Sequence, residues 1–482
     1  MAQTDAVDLK WGMRMVLLDN ALRPVEPLLV LACASVYAGG AWGSFKLAES
    51  FAYLFFRLSL MGLDRGIVWF YGQANSETYR RNLFASLGVV LIASVAGVLA
   101  MLGLSLTAIG SVRGLTLPFP DLLLIAGSIP LLAVSEMLFQ ANLNRQNMLA
   151  RILGKNLLQP LITVGGSLAS HFLGGPGLAF WFFLGCLANA LAAGISFIRL
   201  HGASWSDMTA ASPDRSLWKF SLPLSGADLL AGLTSRLDIM LLGTLANVRA
   251  VEIYNVVMMF GKSLTAIRSS FEGVLLSAFS RDGARNLTPQ LRRRLNYAVW
   301  AVGNLLGLAM LAIVFWGQDL LSLMNKEYLD GYLALVTITA FTYLNIFGDF
   351  SGLMLQSLGR NRAWISAQLI GFFVNLGLNL WLIPQLGALG GVLALGGSTL
   401  AQGGLSQVLL WRSSGRHLWL KEFLQSSLGF ASLLTSLCLI SLWLDTLWLR
   451  LPLFLLATAG WLYVYRRRAQ EFERNLEPLR TA

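Results

Sequence analysis

From Trp11 to Tyr465 the chain is a succession of fourteen apolar segments joined by short connections. This pattern fixes the fold class before any motif is considered. About 20 apolar residues cross the hydrocarbon of a bilayer as a helix, and lipid tolerates only helices or closed barrels, because it leaves no water to satisfy a broken backbone. These segments are too long for barrel strands. The reading is an all-α polytopic membrane protein with spans at 12–38, 43–72, 82–110, 120–143, 152–173, 177–199, 218–246, 250–279, 295–318, 329–358, 362–383, 386–411, 423–444 and 448–465. The chain is 56% hydrophobic and 13% charged, against about 25% charge in a soluble domain. No stretch remains for a soluble catalytic domain.

The bases sort by side. With the N-terminus in the cytoplasm, connections on that side hold 25 of the 36 Lys and Arg, and the opposite connections hold five: Lys46, Arg113, Arg249, Lys326 and Arg450. Positive-inside bias of this size places both termini in the cytoplasm. The same bias accounts for the net charge of +11, so nucleic acid is not an expected partner. The first span lacks the basic-then-apolar pattern of a signal peptide and is expected to be retained.

A polar loop from Gly202 to Arg215 divides the first twelve spans into two sets of six. The turn Gly39–Phe45 opens the second span as Asn247–Tyr254 opens the eighth. Six spans per half predict parallel repeats that rock about a central cavity. The expected organisation is an N-lobe over 1–210, a C-lobe over 211–420, and two further spans with a cytoplasmic tail over 421–482. Gly387, Gly390, Gly391, Gly396, Gly397, Gly403 and Gly404 crowd the twelfth span, which predicts close helix packing.

Six bases fall well inside spans, away from their ends: Arg23, Arg57, Arg65, Arg236, Lys262 and Arg268. Nine acids do so: Asp19, Glu26, Glu49, Asp64, Glu136, Asp228, Asp238, Glu272 and Asp349. Each charge costs about 2.5–3.5 kcal/mol at the bilayer centre and must face protein or water. Asp19, Arg23 and Glu26 share one face of the first helix; Glu49, Tyr53, Arg57 and Asp64 form one stripe on the second; Arg268 and Glu272 pair on the eighth. Each charge is either half of an interhelical ion pair or a cavity group. Arg23, Arg57 and Arg268 are favoured for the cavity, because guanidinium groups suit phosphate. Arg236, Lys262 and Tyr53 complete the candidate substrate-binding set, and Asp19, Glu26, Glu49 and Asp238 are candidate ligands for a coupling ion.

Several motifs fail. Gly261–Lys262–Ser263 resembles the end of a phosphate loop, but Val256 stands where its first glycine is needed. Cys33, Cys186 and Cys438 lie singly in different spans, and His171, His201 and His417 lack metal-ligand spacing. No catalytic residue, metal or cofactor is expected.

Four stretches carry a family resemblance: Trp42–Gly43–Ser44–Phe45 with Gly62–Leu63–Asp64–Arg65–Gly66; Lys219–Phe220–Ser221–Leu222–Pro223; Leu237–Gly243; and Asn375–Pro384 with the Gly387–Gly391 run. Together with two six-helix lobes and two extra helices, they resemble the polysaccharide flippases of the multidrug/oligosaccharidyl-lipid/polysaccharide (MOP) exporter superfamily. The resemblance implies alternating access in a bacterial cytoplasmic membrane, with a polyprenyl-pyrophosphate-linked oligosaccharide as cargo. It implies cavity arginines on helices 1, 2 and 8, where Arg23, Arg57 and Arg268 stand, and a lipid-tail groove at the last two helices. Membrane lipids and polysaccharide-assembly proteins are the implied partners. A cation-coupled multidrug or small-molecule exporter of the same superfamily is the alternative, with Asp19, Asp228 and Asp238 carrying its chemistry.

Overall fold

The computed structural model describes residues 25–71, 76–106, 117–143, 149–201, 215–281, 289–357, 360–414 and 459–460. Asp19, Arg23 and nearly all of the last two expected spans lie outside the described residues, as do the side chains of Glu26, Asp228, Arg268 and Glu272. The described residues are helical almost throughout. In chain order the α-helices are α1 Val25–Val36, α2 Ala41–Leu60, α3 Leu63–Tyr71, α4 Ser76–Leu106, α5 Phe119–Leu143, α6 Leu149–Arg151, α7 Gly166–Leu173, α8 Leu178–His201, α9 Arg215–Leu245, α10 Val248–Arg281, α11 Pro289–Met324, α12 Tyr332–Leu344, α13 Ile346–Ser357, α14 Asn361–Leu386 and α15 Ala388–Ser414. Among the described residues, Thr78–Ser105, Phe119–Asn142, Leu178–Leu200, Val302–Met324 and Arg362–Leu386 are each long and apolar enough to cross a membrane. The protein is a polytopic helical membrane protein.

Two expected spans are broken helices. The second is α2 followed by α3, interrupted where Met61 and Gly62 take left-handed backbone, φ 49° and 70°. The tenth is α12 followed by α13, broken at Asn345, whose side-chain amide bonds Asp349 at 3.0 Å. The segment between α6 and α7 departs from α-helix. Ile152–Leu158 and Leu161–Gly165 are π-helical, with Pro160 between them. Proline has no N–H to continue an α-helical ladder, and the Gln159 N–H instead reaches back five residues to the Gly154 carbonyl.

The chain divides into two compact units, one of Met1–Met259 with Asn379–Gly391, the other of Phe260–Leu378 with Val392–Ala482. The division cuts through α10, α14 and α15.

In the first unit, α2 is held at both ends. The backbone N–H groups of Gly40 and Gly43 donate to Glu252 Oε1 of α10, at 2.8 and 3.1 Å. The first N–H groups of a helix have no internal partner and carry partial positive charge, so a buried carboxylate from a neighbouring helix satisfies and neutralises them. Gly43 permits this approach, because a Cβ there would strike the Val248 carbonyl. At the far end of α2, a Cβ on Gly62 would collide with the Ser221 carbonyl of α9, and one on Gly66 with the Ser221 hydroxyl. The short sequence motifs at these positions are therefore helix–helix contacts.

The paired helices α5 and α8 are joined by Asn189 to Ser135 at 3.3 Å and Asn142 to Ser196 at 3.2 Å. Tyr37 donates to the Ser167 carbonyl at 2.7 Å and ties α1 to α7. The outer face of α4 exposes Leu91, Ile92, Val95 and Leu99, an apolar stripe suited to lipid. In the second unit, glycines of α15 bring helices close, as their crowding implied. Gly403 meets Gly348 of α13 backbone to backbone, and Gly396 lies under the Phe341 ring of α12.

Glu252→Ala leaves the Gly40 and Gly43 donors without their carboxylate. The expected loss is about 1–3 kcal/mol per unsatisfied group, read as a lower melting temperature in detergent. Glu252→Gln, which keeps an acceptor oxygen, is expected to lose less.

Candidate functional site

Of the expected stripe, Glu49, Tyr53 and Arg57 lie on α2, while the break at Met61 and Gly62 puts Asp64 on α3, and the stripe meets partners that spacing did not reveal. Lys46 and Glu49 lie one turn apart on α2, and both are buried. Their ion pair is 2.7 Å long. Lys46 Nζ also lies 4.8 Å from the centre of the Trp42 ring and 5.5 Å from that of Phe45. Arg236 of α9 approaches the same Glu49 oxygen at 3.8 Å, and its guanidinium sits 4.5 Å above the Tyr53 ring. Sequence placed Lys46 in an outer connection. The structure corrects this: α2 begins at Ala41 and draws Lys46 into the helix.

A second carboxylate organises the neighbouring wall. Glu136 of α5 accepts from Lys155 at 2.8 Å and from Arg151 at 3.3 Å, and Gln140 adds a bond at 3.1 Å. Arg57, two turns beyond Glu49, is close enough to act on Glu136 electrostatically. Its guanidinium lies 5.3 Å from the Phe56 ring. Among the described residues no carboxylate stands within ion-pair distance of Arg57.

Beside these groups is a cavity of about 130 Å³, lined by Trp42, Phe45, Lys46, Glu49 and Tyr53 of α2, Lys155, Asn156, Gln159 and Thr163 of the π-helical stretch, Cys33 of α1 and Phe182 of α8, so that Lys46, Glu49 and Lys155 are the charged side chains on its wall. π-Helical turns recur at functional sites because they re-aim side chains; here they turn Lys155, Asn156 and Gln159 toward the hollow. The indole N–H of Trp42 is buried with no acceptor among the described residues.

The local charge balance is the opposite of the count inside the spans, where nine acids face six bases. Lys46, Arg57, Arg151, Lys155 and Arg236 are five bases, against the two carboxylates Glu49 and Glu136. These seven groups carry three excess positive charges; Lys46, Glu49 and Glu136 are buried and Arg151, Lys155 and Arg236 are partly exposed, so an anion is attracted more strongly than in bulk water. It can hold an anionic group with flanking polar and aromatic contacts.

The structure gathers Arg57, Arg236, Tyr53 and Glu49 from the predicted set into one neighbourhood. Asp238 is elsewhere, in a buried network where its two oxygens accept from Tyr254 and from Asn379, each at 2.6 Å. Lys262 is exposed and belongs to the second unit. Arg23 and Asp19 are outside the described residues, as are the side chains of Arg268 and Glu26. Lys46, Arg151 and Lys155 are the members that sequence analysis missed. The signals for them were the Lys46–Glu49 and Arg151–Lys155 helical spacings, beside an interior Glu136 that lacked a local base.

No protein-family model matches the chain, and no curated protein sequence matches it. Solved structures do match. The lipid II flippase MurJ, in an inward-closed conformation, aligns with a TM-score of 0.76 at 16% identity, over 95% of this chain and 99% of that one. An inward-facing multidrug resistance MATE family transporter of the MOP superfamily aligns with a TM-score of 0.58 at 15% identity, over 85% and 98% of the two chains. The chain has the MOP transporter fold. A further MOP transporter, from Pyrococcus furiosus and described as having a binding pocket of reversed polarity, gives 0.52 at 16% identity over 85% and 95%. The MOP fold therefore covers both of the transport classes that the sequence suggested.

The Lys46–Glu49 pair is expected to behave as a unit. Lys46→Met alone, leaving a buried carboxylate poorly compensated, is expected to cost about 3–5 kcal/mol. The double variant Lys46→Met/Glu49→Leu is expected to cost less than the single change. Chemical or thermal unfolding of the three proteins measures the coupling; additive losses would contradict it.

Proposed function

We propose that this protein is a flippase that carries a polyprenyl-pyrophosphate-linked oligosaccharide, a surface-polysaccharide precursor, from the cytoplasmic to the outer leaflet by alternating access. The observation that carries the proposal is the cluster of five bases and two carboxylates on and beside the α2 cavity, where Lys46 and Lys155 reach the wall, with Arg57 free of any close carboxylate among the described residues. Arg57, Arg236 and Lys155 receive the pyrophosphate, and Tyr53 and Trp42 offer aromatic faces to the sugar. The lipid tail stays in the bilayer, so only the polar head avoids hydrocarbon, where an unpaired charge is prohibitively costly. The likeness to a lipid II flippase over 95% of the chain supports this reading. The basic connections support a bacterial cytoplasmic membrane with both termini inside.

A second reading is a cation-coupled exporter of drugs or other small molecules. The likeness to a multidrug MATE transporter and the buried Asp238 favour it. Under that reading Asp238, with Asp19, Glu26 or Glu49, takes the coupling ion.

Arg57→Ala separates the two. Loss of one charge-assisted contact of about 1.5–3 kcal/mol is expected to lower glycan export by roughly tenfold or more while assembly on the carrier continues. Normal surface glycan at normal protein level contradicts the flippase. Drug hypersensitivity of a deletion strain with intact surface glycan supports the exporter instead.

A further inference from the structure

A larger hollow lies on the outer side of the same π-helical stretch. It measures about 670 Å³ and is walled by Leu153, Leu157, Leu158 and Leu161 on one side and Ile195 and Leu200 on the other. Its floor is made of small residues, Gly154, Ala192 and Ser196. At its end stands Arg199, exposed, with no carboxylate in ion-pair distance among the described residues. A volume of about 300–1,000 Å³ is that of a pocket for a discrete small molecule. The convex apolar stripe on α4, by contrast, offers ordinary lipid contact and no enclosure.

Gly154 explains why the hollow exists. A side chain at this position would meet Asn189 Oδ1 at 2.9 Å and the Phe139 ring at 3.0 Å. The π-helix thus lies close against α5 and α8 at this level, and its leucines stand away from them on the outer side.

We propose that this groove binds an anionic phospholipid, with an acyl chain along the leucine wall and the phosphate on Arg199. The chemistry selects this occupant. Arg199 follows a largely apolar helix and belongs to the side bearing the other basic connections, at the depth where headgroups lie. One guanidinium matches one phosphodiester charge. A pyrophosphate carrier calls for several bases, and these are grouped around the inner cavity. Basic residues beside an intramembrane groove are a recurring signature of anionic-lipid sites.

The groove and the inner cavity share one wall. Leu153, Leu157, Leu158 and Leu161 face the lipid side, while Lys155, Asn156, Gln159 and Thr163 line the cavity. A lipid in the groove therefore braces the helix that aims Lys155 at Glu136. The lipid is a positioning element for the cavity, and its binding does not rest on the identity of the cargo.

The test uses the full-length protein in neutral detergent, with phosphatidylglycerol, phosphatidylcholine and polyprenyl phosphate as probes. Native mass spectrometry counts retained lipid, and thermal melting gives a second readout. Wild type is expected to retain phosphatidylglycerol roughly fivefold better than phosphatidylcholine. Arg199→Gln, an exposed change that leaves the core intact, is expected to abolish the preference, and Arg199→Lys to keep part of it. Ala192→Phe, which fills the floor, is expected to lower retention of both phospholipids; if that variant fails to fold, Arg199→Gln decides alone. Equal retention of the two phospholipids by wild type, or an unchanged preference in Arg199→Gln, overturns the proposal. Displacement of phosphatidylglycerol by equimolar polyprenyl phosphate also overturns it, and assigns the groove to the carrier.

Discussion

Two carboxylates, Glu49 and Glu136, make it feasible for this protein to keep a cluster of bases within helices that cross a membrane. Glu49 holds Lys46 and approaches Arg236, and Glu136 holds Lys155 and Arg151. Without them each base would face the full desolvation cost of a charge in a low dielectric. With them the cluster keeps its positive excess but remains foldable. The arrangement is under-neutralised, five bases to two carboxylates, and the proposed function rests on that imbalance. Full pairing would have produced inert structural bridges.

The same absence of water governs the backbone. Helix ends and breaks inside a bilayer must find partners in protein. Glu252 serves the start of α2, and the contact of Gly62 and Gly66 with Ser221 secures its close. Helix α2, which carries Lys46, Glu49, Tyr53 and Arg57, is thus anchored at both ends to α10 and α9. Both clasps are built from close approaches at glycine, where few side chains need to repack.

Much of this was legible in the sequence. Apolar length gave the helical membrane fold, and helical spacing put Glu49, Tyr53 and Arg57 on one stripe. The glycine crowding of the twelfth span was correctly read as packing. What the sequence concealed was tertiary pairing. Arg151 and Lys155 look like topology-setting bases of a connection, but long flexible side chains let them reach back to Glu136 across 15 and 19 positions. The π-helical turns carried no signal beyond Pro160, since hydrogen-bond register is chosen by packing against α5 and α8. The bonds of Asp238 to Tyr254 and Asn379 were equally hidden, because one partner lies 141 positions away.

The central claim is that the inner cavity recognises a pyrophosphate by charge. Its most direct measurement is the equilibrium affinity of the purified protein in nanodiscs for polyprenyl pyrophosphate, polyprenyl phosphate and the uncharged polyprenol. The account predicts affinity rising in the order alcohol, phosphate, pyrophosphate, with the advantage of the pyrophosphate shrinking as salt is raised. Equal affinity for all three, unaffected by salt, would mean that the protein holds only the tail, and the charge-based account would be wrong.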